Sequence, residues 1–335
     1  MGGKKEVKAI SLLSGGLDSQ LAVRLMQEQG IEVIGLNFVS PFFGGSEEAK
    51  KAARALKIQV LFPEVGNAYM ELLKNPAHGF GKNYNPCIDC HAFMLRRAGE
   101  MLEELGASFI VTGEVLGQRP MSQNRNALKQ VEKTSGMDGL VVRPLSALKL
   151  AETIPEQKGW IDRTKLLDIQ GRGRTRQIEL AEALGLKEYP TPAGGCLLTQ
   201  ESTAKRIRRY FAFRPDVAEL HELDVMKAGR HFYPDENTLL VVGRHQADNQ
   251  VLTGIAREGD CYLKVANHPG PLALLRCVGN LTDAALETAA RTVARYSDAK
   301  ADEEVPVKVL DADMQPLSII RVLPYKPTEI PDSVC

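Results

Sequence analysis

The chain has 335 residues, 44% of them apolar, and its 42 basic and 42 acidic side chains leave no formal net charge. That length suggests two domains, and the balanced charge excludes a global electrostatic footprint for nucleic acid, so any RNA contact has to be a local patch. No run of about eighteen apolar residues marks a membrane-spanning helix, the start Met1-Gly2-Gly3-Lys4-Lys5-Glu6 lacks a secretory apolar core, and six cysteines are too sparse for a disulfide frame, so a cytoplasmic protein with reduced thiols is expected.

Strand-like apolar runs are predicted at residues 7–13, 33–39, 58–62, 109–112 and 140–142. They alternate with helix patterns at residues 20–29, 47–56, 87–105 and 176–184. This alternation predicts an α/β domain, a doubly wound parallel sheet, with its ligand beyond the carboxyl ends of the strands. The segment Tyr189-Pro190-Thr191-Pro192-Ala193-Gly194-Gly195 breaks the periodicity. After Glu201 a basic, aromatic helix pattern (Lys205-Arg206-Ile207-Arg208-Arg209-Tyr210-Phe211) opens a second, smaller α+β domain. Its strands are predicted at residues 238–242, 261–265, 272–276, 305–309 and 317–323, with a helix at 283–296. The expected division is residues 1–200 and 201–335. The second part carries 17 basic against 20 acidic residues, so it is no generally basic platform.

The most informative segment follows the first strand: Ser14-Gly15-Gly16-Leu17-Asp18-Ser19. Adjacent glycines let consecutive N–H groups converge on an anion, and the next helix points its positive end at the same spot. Ser14 and Ser19 add hydroxyl donors, and Asp18 can hold a magnesium ion or orient the loop. No lysine follows the glycines, so this is not the nucleotide loop that ends in Lys-Ser/Thr. It resembles the pyrophosphate loop of enzymes that split ATP between the α and β phosphates.

Asn85-Pro86-Cys87-Ile88-Asp89-Cys90-His91 opens the long helix pattern, with Asn85 expected as N-cap and Pro86 at the first helical position. Cys87 and Cys90 then share one face of the first turn, where the helix dipole favours thiolate. Cys196 follows two glycines. Three readings fit these cysteines: an iron–sulfur cluster with three protein ligands and an open iron, a persulfide relay on Cys196 resolved by Cys87 or Cys90, or structural zinc with His91 or His78 as fourth ligand. Cys261 and Cys277 fall in strand patterns and are expected in the core; Cys335 is the exposed terminus. Arg163, Lys165, Arg172, Arg174 and Arg176 form a dense basic segment suited to RNA phosphates.

Thr112-Gly113-Glu114-Val115-Leu116-Gly117-Gln118, with Ser122 and Gln123 shortly after, follows a strand, and Val142-Arg143-Pro144-Leu145 comes later. Together with the turn at residues 14–19, these motifs resemble the adenylation domain of the tRNA 4-thiouridine synthases over about residues 7–200. The tRNA 2-thiouridine synthases share the first motif and a Cys-x-x-Cys…Cys arrangement. The resemblance implies a HUP-like fold, ATP and Mg2+ as cofactors with a [4Fe-4S] cluster on Cys87, Cys90 and Cys196, and tRNA as substrate. The sulfur donor would be a cysteine desulfurase or free sulfide. It places Cys87, Cys90, Cys196 and Asp18 in catalysis. Ser14, Gly15, Gly16, Asp18, Ser19, Thr112, Gly113, Glu114 and Gln118 would bind ATP.

The implied reaction adenylates a uridine oxygen and replaces it with sulfur, 4-thiouridine favoured. The alternatives are a persulfide relay giving 2-thiouridine and an adenylating ligase acting on a small molecule. With the loop starting at residue 14, neither the usual N-terminal RNA-binding module nor a C-terminal rhodanese domain is expected. Instead, Val241-Val242-Gly243-Arg244-His245-Gln246-Ala247-Asp248-Asn249 and Val265-Ala266-Asn267-His268-Pro269-Gly270 resemble the RNA-associated domain of ribosome quality-control factors.

Overall fold

The first apolar run becomes β1 (Lys8–Leu12), with Ala9, Ile10 and Ser11 fully buried, as expected of a strand covered on both faces. The computed structural model describes residues 7–190 and 196–330, in two units, residues 1–197 and 198–335. In the first unit β1 sits at the centre of a five-stranded sheet with β2 (Glu32–Leu36), β3 (Val60–Leu61), β4 (Phe109–Thr112) and β5 (Val141–Val142). The order is β3-β2-β1-β4-β5 and every pairing is parallel. The chain leaves β1 toward one edge, then returns to β4 on the other side. That reversal opens a crevice at the carboxyl ends of β1 and β4.

The helices of this unit are α1 (Leu17–Gln27), α2 (Glu47–Leu56), α3 (Ala68–Lys74), α4 (Cys87–Glu100), α5 (Arg125–Ser135), α6 (Ile154–Gln157) and α7 (Thr175–Ala183). Ser46 caps α2 by accepting from the Ala49 N–H, and Asn124 caps α5 through Ala127, with Gly136 left-handed at its end. Three helices of this unit, α3, α5 and the four-residue α6, were not predicted. α5 carries a readable Asn124…Gly136 frame, whereas α3 is short and its Asn67 makes no capping bond. Leu21, Val23, Met26, Phe109, Val111 and Val115 build the core between β1, β4 and α1.

Gly113 shows how closely these elements approach. A Cβ there would lie 2.5 Å from the Ser19 nitrogen and 2.6 Å from the Asp18 carbonyl carbon, so the end of β4 meets the first turn of α1 backbone to backbone.

The second unit begins with α8 (Glu201–Phe213), where Ile207 and Tyr210 are buried and Phe211 is half-buried. Six antiparallel strands follow: β6 (Arg230–Asp235), β7 (Thr238–Val242), β8 (Cys261–Val265), β9 (Ala273–Cys277), β10 (Val305–Leu310) and β11 (Pro316–Val322). Their order is β11-β10-β8-β9-β7-β6. Two helices accompany them, α9 (Gln246–Thr253) and α10 (Asp283–Arg295). Ala289, Ala290, Val293 and Ala294 of α10 pack on Leu263, Val265, Val305, Val307 and Val309. Cys261 and Cys277 are half-buried on β8 and β9, and Cys335 lies outside the described residues. Among the described residues no helix is long and apolar enough to cross a membrane.

Gly113→Ala should therefore destabilise the protein by about 2 kcal/mol or more through overpacking. Gly173→Ala, with nothing within 4 Å of its added Cβ, should change stability by less than about 0.5 kcal/mol. Urea unfolding of the two variants checks the contrast; equal midpoints would contradict the close approach.

Candidate functional site at the carboxyl edge of the parallel sheet

The turn at residues 14–19 occupies the crevice between β1 and β4. Gly15 has φ +83°, and a Cβ there would lie 2.6 Å from the Ala49 nitrogen, so only glycine lets the turn rest on the start of α2. Ser19 Oγ donates to the Gly16 carbonyl at 2.8 Å, and the Gly16 N–H faces Ser14 Oγ at 3.3 Å. Gln20 Nε2 ties the turn down through the carbonyls of Gly15 (2.8 Å) and Glu188 (3.0 Å). No side chain caps α1, whose N-cap is Gly16, which leaves its first N–H groups for an anion.

Asp18, in the first turn of α1, is the centre of the site. Its Oδ2 accepts from Gln118 Nε2 at 3.1 Å and from Arg174 Nη2 at 3.0 Å. Its Oδ1 is buried and has no hydrogen-bond partner. Gln118 arrives on the segment after β4. Arg174 arrives just before α7, on a strand-like segment that the Gly171 N–H pins to the Leu116 carbonyl at 2.7 Å. A cleft of about 310 Å³ opens on the same segment, lined by Lys149, Asp168, Gln170, Gly173 and Arg176.

Thr112 and Glu114, expected on the nucleotide wall, are buried in a polar network. Glu114 accepts from Arg143 Nε at 2.9 Å, His91 Nδ1 at 2.8 Å and Thr112 Oγ1 at 3.1 Å. Arg143 also pairs with Glu132. Burial pushes the Glu114 carboxyl up, but Arg143 and His91 outweigh it and hold it at about 2. Ser122 and Gln123 are also buried. Arg143 and His91 as partners of Glu114 were not foreseen, although Arg143 stands in a quoted motif.

The three cysteines gather about Tyr69 in the same unit. Tyr69 Oη donates to Cys90 Sγ at 3.1 Å, and Asn85 Nδ2 donates to Cys87 Sγ at 3.1 Å. Cys87 and Cys196 both act electrostatically on Cys90 and on Tyr69. Two expectations need correction. Pro86, not Asn85, is the N-cap of α4, because the Asn85 amide is turned onto Cys87 Sγ and the Asn83 N–H. Cys90 is not a poised thiolate: burial pushes its thiol far up, beyond what the hydrogen bond from Tyr69 offsets. Cys87 and Cys196 are half-buried, and residues 191–195, which include the two glycines before Cys196, lie outside the described residues.

Among the described residues no three His, Cys, Asp or Glu side chains stand as a metal-holding group. His78 is committed through Nδ1 to Asp89 (2.8 Å) and through Nε2 to Gln130 (2.7 Å). The donor set is thiol-rich, with N–H and O–H groups already aimed at sulfur. It suits a sulfur-ligated cluster in kind, though not as a preformed cage.

The basic segment divides by function. Arg163 is tied to Glu156 and to the carbonyls of Ala147 and Leu150, Arg174 to Asp18, and Arg176 to Asp168 at 2.8 Å. Lys165 and Arg172 are exposed.

Residues 4–157 match the family model for the thiamine biosynthesis protein (ThiI). Residues 229–333 match the model of the NFACT protein RNA binding domain. A probable tRNA sulfurtransferase of Thermococcus kodakarensis is 30% identical over 158 residues, covering 44% of this chain and 39% of the relative. A tRNA-specific 2-thiouridylase of Caldanaerobacter subterraneus subsp. tengcongensis is 32% identical over 128 residues, 30% of this chain and 33% of the relative. A solved 4-thiouridine synthetase–RNA complex with bound ATP aligns at a TM-score of 0.38 and 22% identity, covering 66% of this chain and 52% of that one. The chain thus spans about two fifths of the length of the first curated relative. Arg174 and Cys196 lie beyond the matched residues 4–157.

The depressed Glu114 pKa fixes a pH dependence. Its stabilisation is complete above its ordinary value of 4.5 and is lost as pH falls through about 2. Glu114→Gln should lower stability at neutral pH by about 3–5 kcal/mol, because Arg143 keeps its buried charge without this partner. It should also flatten the loss of stability between pH 5 and pH 2. Urea melts across that range check both; an unchanged acid slope would contradict the network.

Proposed function

We propose that this chain is an ATP-dependent tRNA sulfurtransferase that adenylates a uridine carbonyl oxygen and replaces it with sulfur, 4-thiouridine being the favoured product. The carrying observation is the meeting of the 14–19 turn, Gln118 and Arg174 around Asp18, in one unit with three gathered cysteines. The names of the relatives, tRNA sulfurtransferase and tRNA 2-thiouridylase, support the same chemistry.

In this reading the uridine oxygen attacks the α-phosphorus of ATP, and the bond to the bridging oxygen of pyrophosphate breaks. The N–H groups of the turn, the open start of α1 and the Ser14 and Ser19 hydroxyls receive the departing pyrophosphate. Arg174 supplies the positive charge beside it. Asp18, whose Oδ1 is buried without a partner, would hold Mg2+. A sulfur nucleophile then adds to the activated carbon, and AMP leaves with the original oxygen.

Cys87, Cys90 and Cys196 would hold a [4Fe-4S] cluster, which when bound supplies an iron position open to sulfide. With free sulfide as donor the exchange needs no net redox change. A persulfide on Cys196 is the second reading, favoured by the half-exposure of Cys196 beside protonated Cys90. There the S–S bond breaks as sulfur transfers, and the disulfide that forms with Cys87 needs an external reductant such as a dithiol. A cysteine desulfurase is the partner that would load either form, in the cytoplasm. Residues 229–333 would contribute RNA affinity.

The test is unmodified tRNA incubated anaerobically with the protein, ATP, Mg2+ and sulfide, then digested and analysed by mass spectrometry. A uridine with one oxygen exchanged for sulfur is expected. Asp18→Asn should lower its yield at least about 100-fold. Cys196→Ala should abolish it while leaving tRNA-dependent pyrophosphate release, and should deplete any iron and acid-labile sulfide carried by the wild type. Pyrophosphate release that ignores tRNA would overturn the proposal in favour of a small-molecule ligase.

A further inference from the structure

The second unit presents a puzzle if it binds RNA, because residues 201–335 carry more acidic than basic side chains. Most of its basic groups are already engaged. Arg206 donates to the carbonyls of Met226 and Gly229, Arg244 pairs with Asp248, and Arg276 pairs with Asp260. Lys227 pairs with Asp224, Arg257 reaches Glu222, and Arg209 and Arg230 lie over tyrosine rings. Three basic residues on neighbouring strands are different: Lys264 on β8, Lys308 on β10 and Arg321 on β11 are all exposed, and no carboxylate pairs with them among the described residues.

The register puts them on one face. Lys308 lies directly opposite Lys264 on one side and opposite Ile319 on the other. Strand alternation then sets Arg321 on the same face as Ile319, and the exposed Leu317 sits next along β11, at the register shift between Val309 and Leu310. The opposite face, with Val305, Val307, Val309, Ile320 and Val322, is the one packed under α10. Two lysines directly opposed on antiparallel strands repel one another. Ile319 and Leu317 beside them are 63% and 59% exposed on an edge strand, where bare apolar side chains invite misassembly. Neither feature helps the unit fold, and a polyanion with apolar rings relieves both.

We infer that the face of β8, β10 and β11 carrying Lys264, Lys308, Arg321, Ile319 and Leu317 is the surface by which this unit grips RNA, phosphates on the basic row and sugar–base edges on Ile319 and Leu317. Charge complementarity selects this occupant over a second copy of the chain, whose identical basic row would face its own. The inference rests on the proposal that the substrate is tRNA, and it names the local patch that a net-acidic unit requires. In the segments at residues 241–249 and 265–270, Arg244 and His245 are engaged with Asp248, and His268 with Glu303.

The experiment is tRNA binding by the full chain, followed by fluorescence anisotropy across a salt series, with Lys264→Ala/Lys308→Ala and a control, Lys227→Ala. Removing two phosphate contacts should reduce the slope of log affinity against log salt by about 1.5 and weaken binding about 10-fold or more at low salt. The control should shift neither. Ile319→Ser should weaken binding several-fold with the slope unmoved. Thermal melts confirm that the exposed substitutions leave the fold intact. An unchanged slope in the double variant, with wild-type binding tight, overturns this surface while leaving the tRNA proposal standing. Wild-type protein that binds no tRNA overturns both. A change from dimer to monomer in sedimentation with RNA affinity untouched assigns the face to self-association and overturns the inference.

Discussion

The first unit is organised around one carboxylate. Asp18 accepts from Gln118, 100 positions later, and from Arg174, 156 positions later, and these two bonds bring three separate segments to one point. The parallel order β3-β2-β1-β4-β5 makes this possible, because the reversal between β1 and β4 leaves a crevice that no connecting helix fills. Gly113 lets β4 end against the backbone of Ser19, so the crevice is narrow enough for Gln118 to reach. An anion at the start of α1 would meet an open helix terminus, two hydroxyls and a guanidinium together.

A second polar centre lies a few residues away. Buried Glu114 and Arg143 form a polar network with half-buried His91 and Glu132, in which Arg143 Nη2 alone of the guanidinium's buried atoms lacks a partner; a buried ion pair of this kind is costly to break. Glu114 shares β4's carboxyl end with the crevice that holds the 14–19 turn, and His91 follows Cys90 on α4. The network therefore ties the strand end of the crevice to the helix that carries two of the three cysteines. This is the physical link between the part of the unit suited to phosphate and the part suited to sulfur.

Local features were legible in the sequence where local chemistry determines them. Two glycines flanked by serines after an apolar strand specify the 14–19 turn, and Cys87 and Cys90 three apart had to share a helical face. The strands expected at 261–265 and 305–309 are observed as β8 and β10. Side-chain pairing across the fold was not legible. Arg174 looked like one more cation of a basic run, yet its guanidinium belongs to Asp18, because only the docking of Gly171 on Leu116 brings it there. Burial was equally hidden: Cys90 at a helix start suggests a thiolate, but burial pushes its thiol up further than the hydrogen bond from Tyr69 Oη brings it down. The Lys264–Lys308 opposition depends on strand register, which spacing alone does not set.

The claim that most needs a direct answer is that Asp18, Arg174 and the open start of α1 handle pyrophosphate. The decisive measurement is the identity of the products from ATP labelled at the α and γ positions, incubated with and without tRNA. The account predicts AMP and pyrophosphate in equal amounts, formed when tRNA is present. ADP and inorganic phosphate as the products would contradict it.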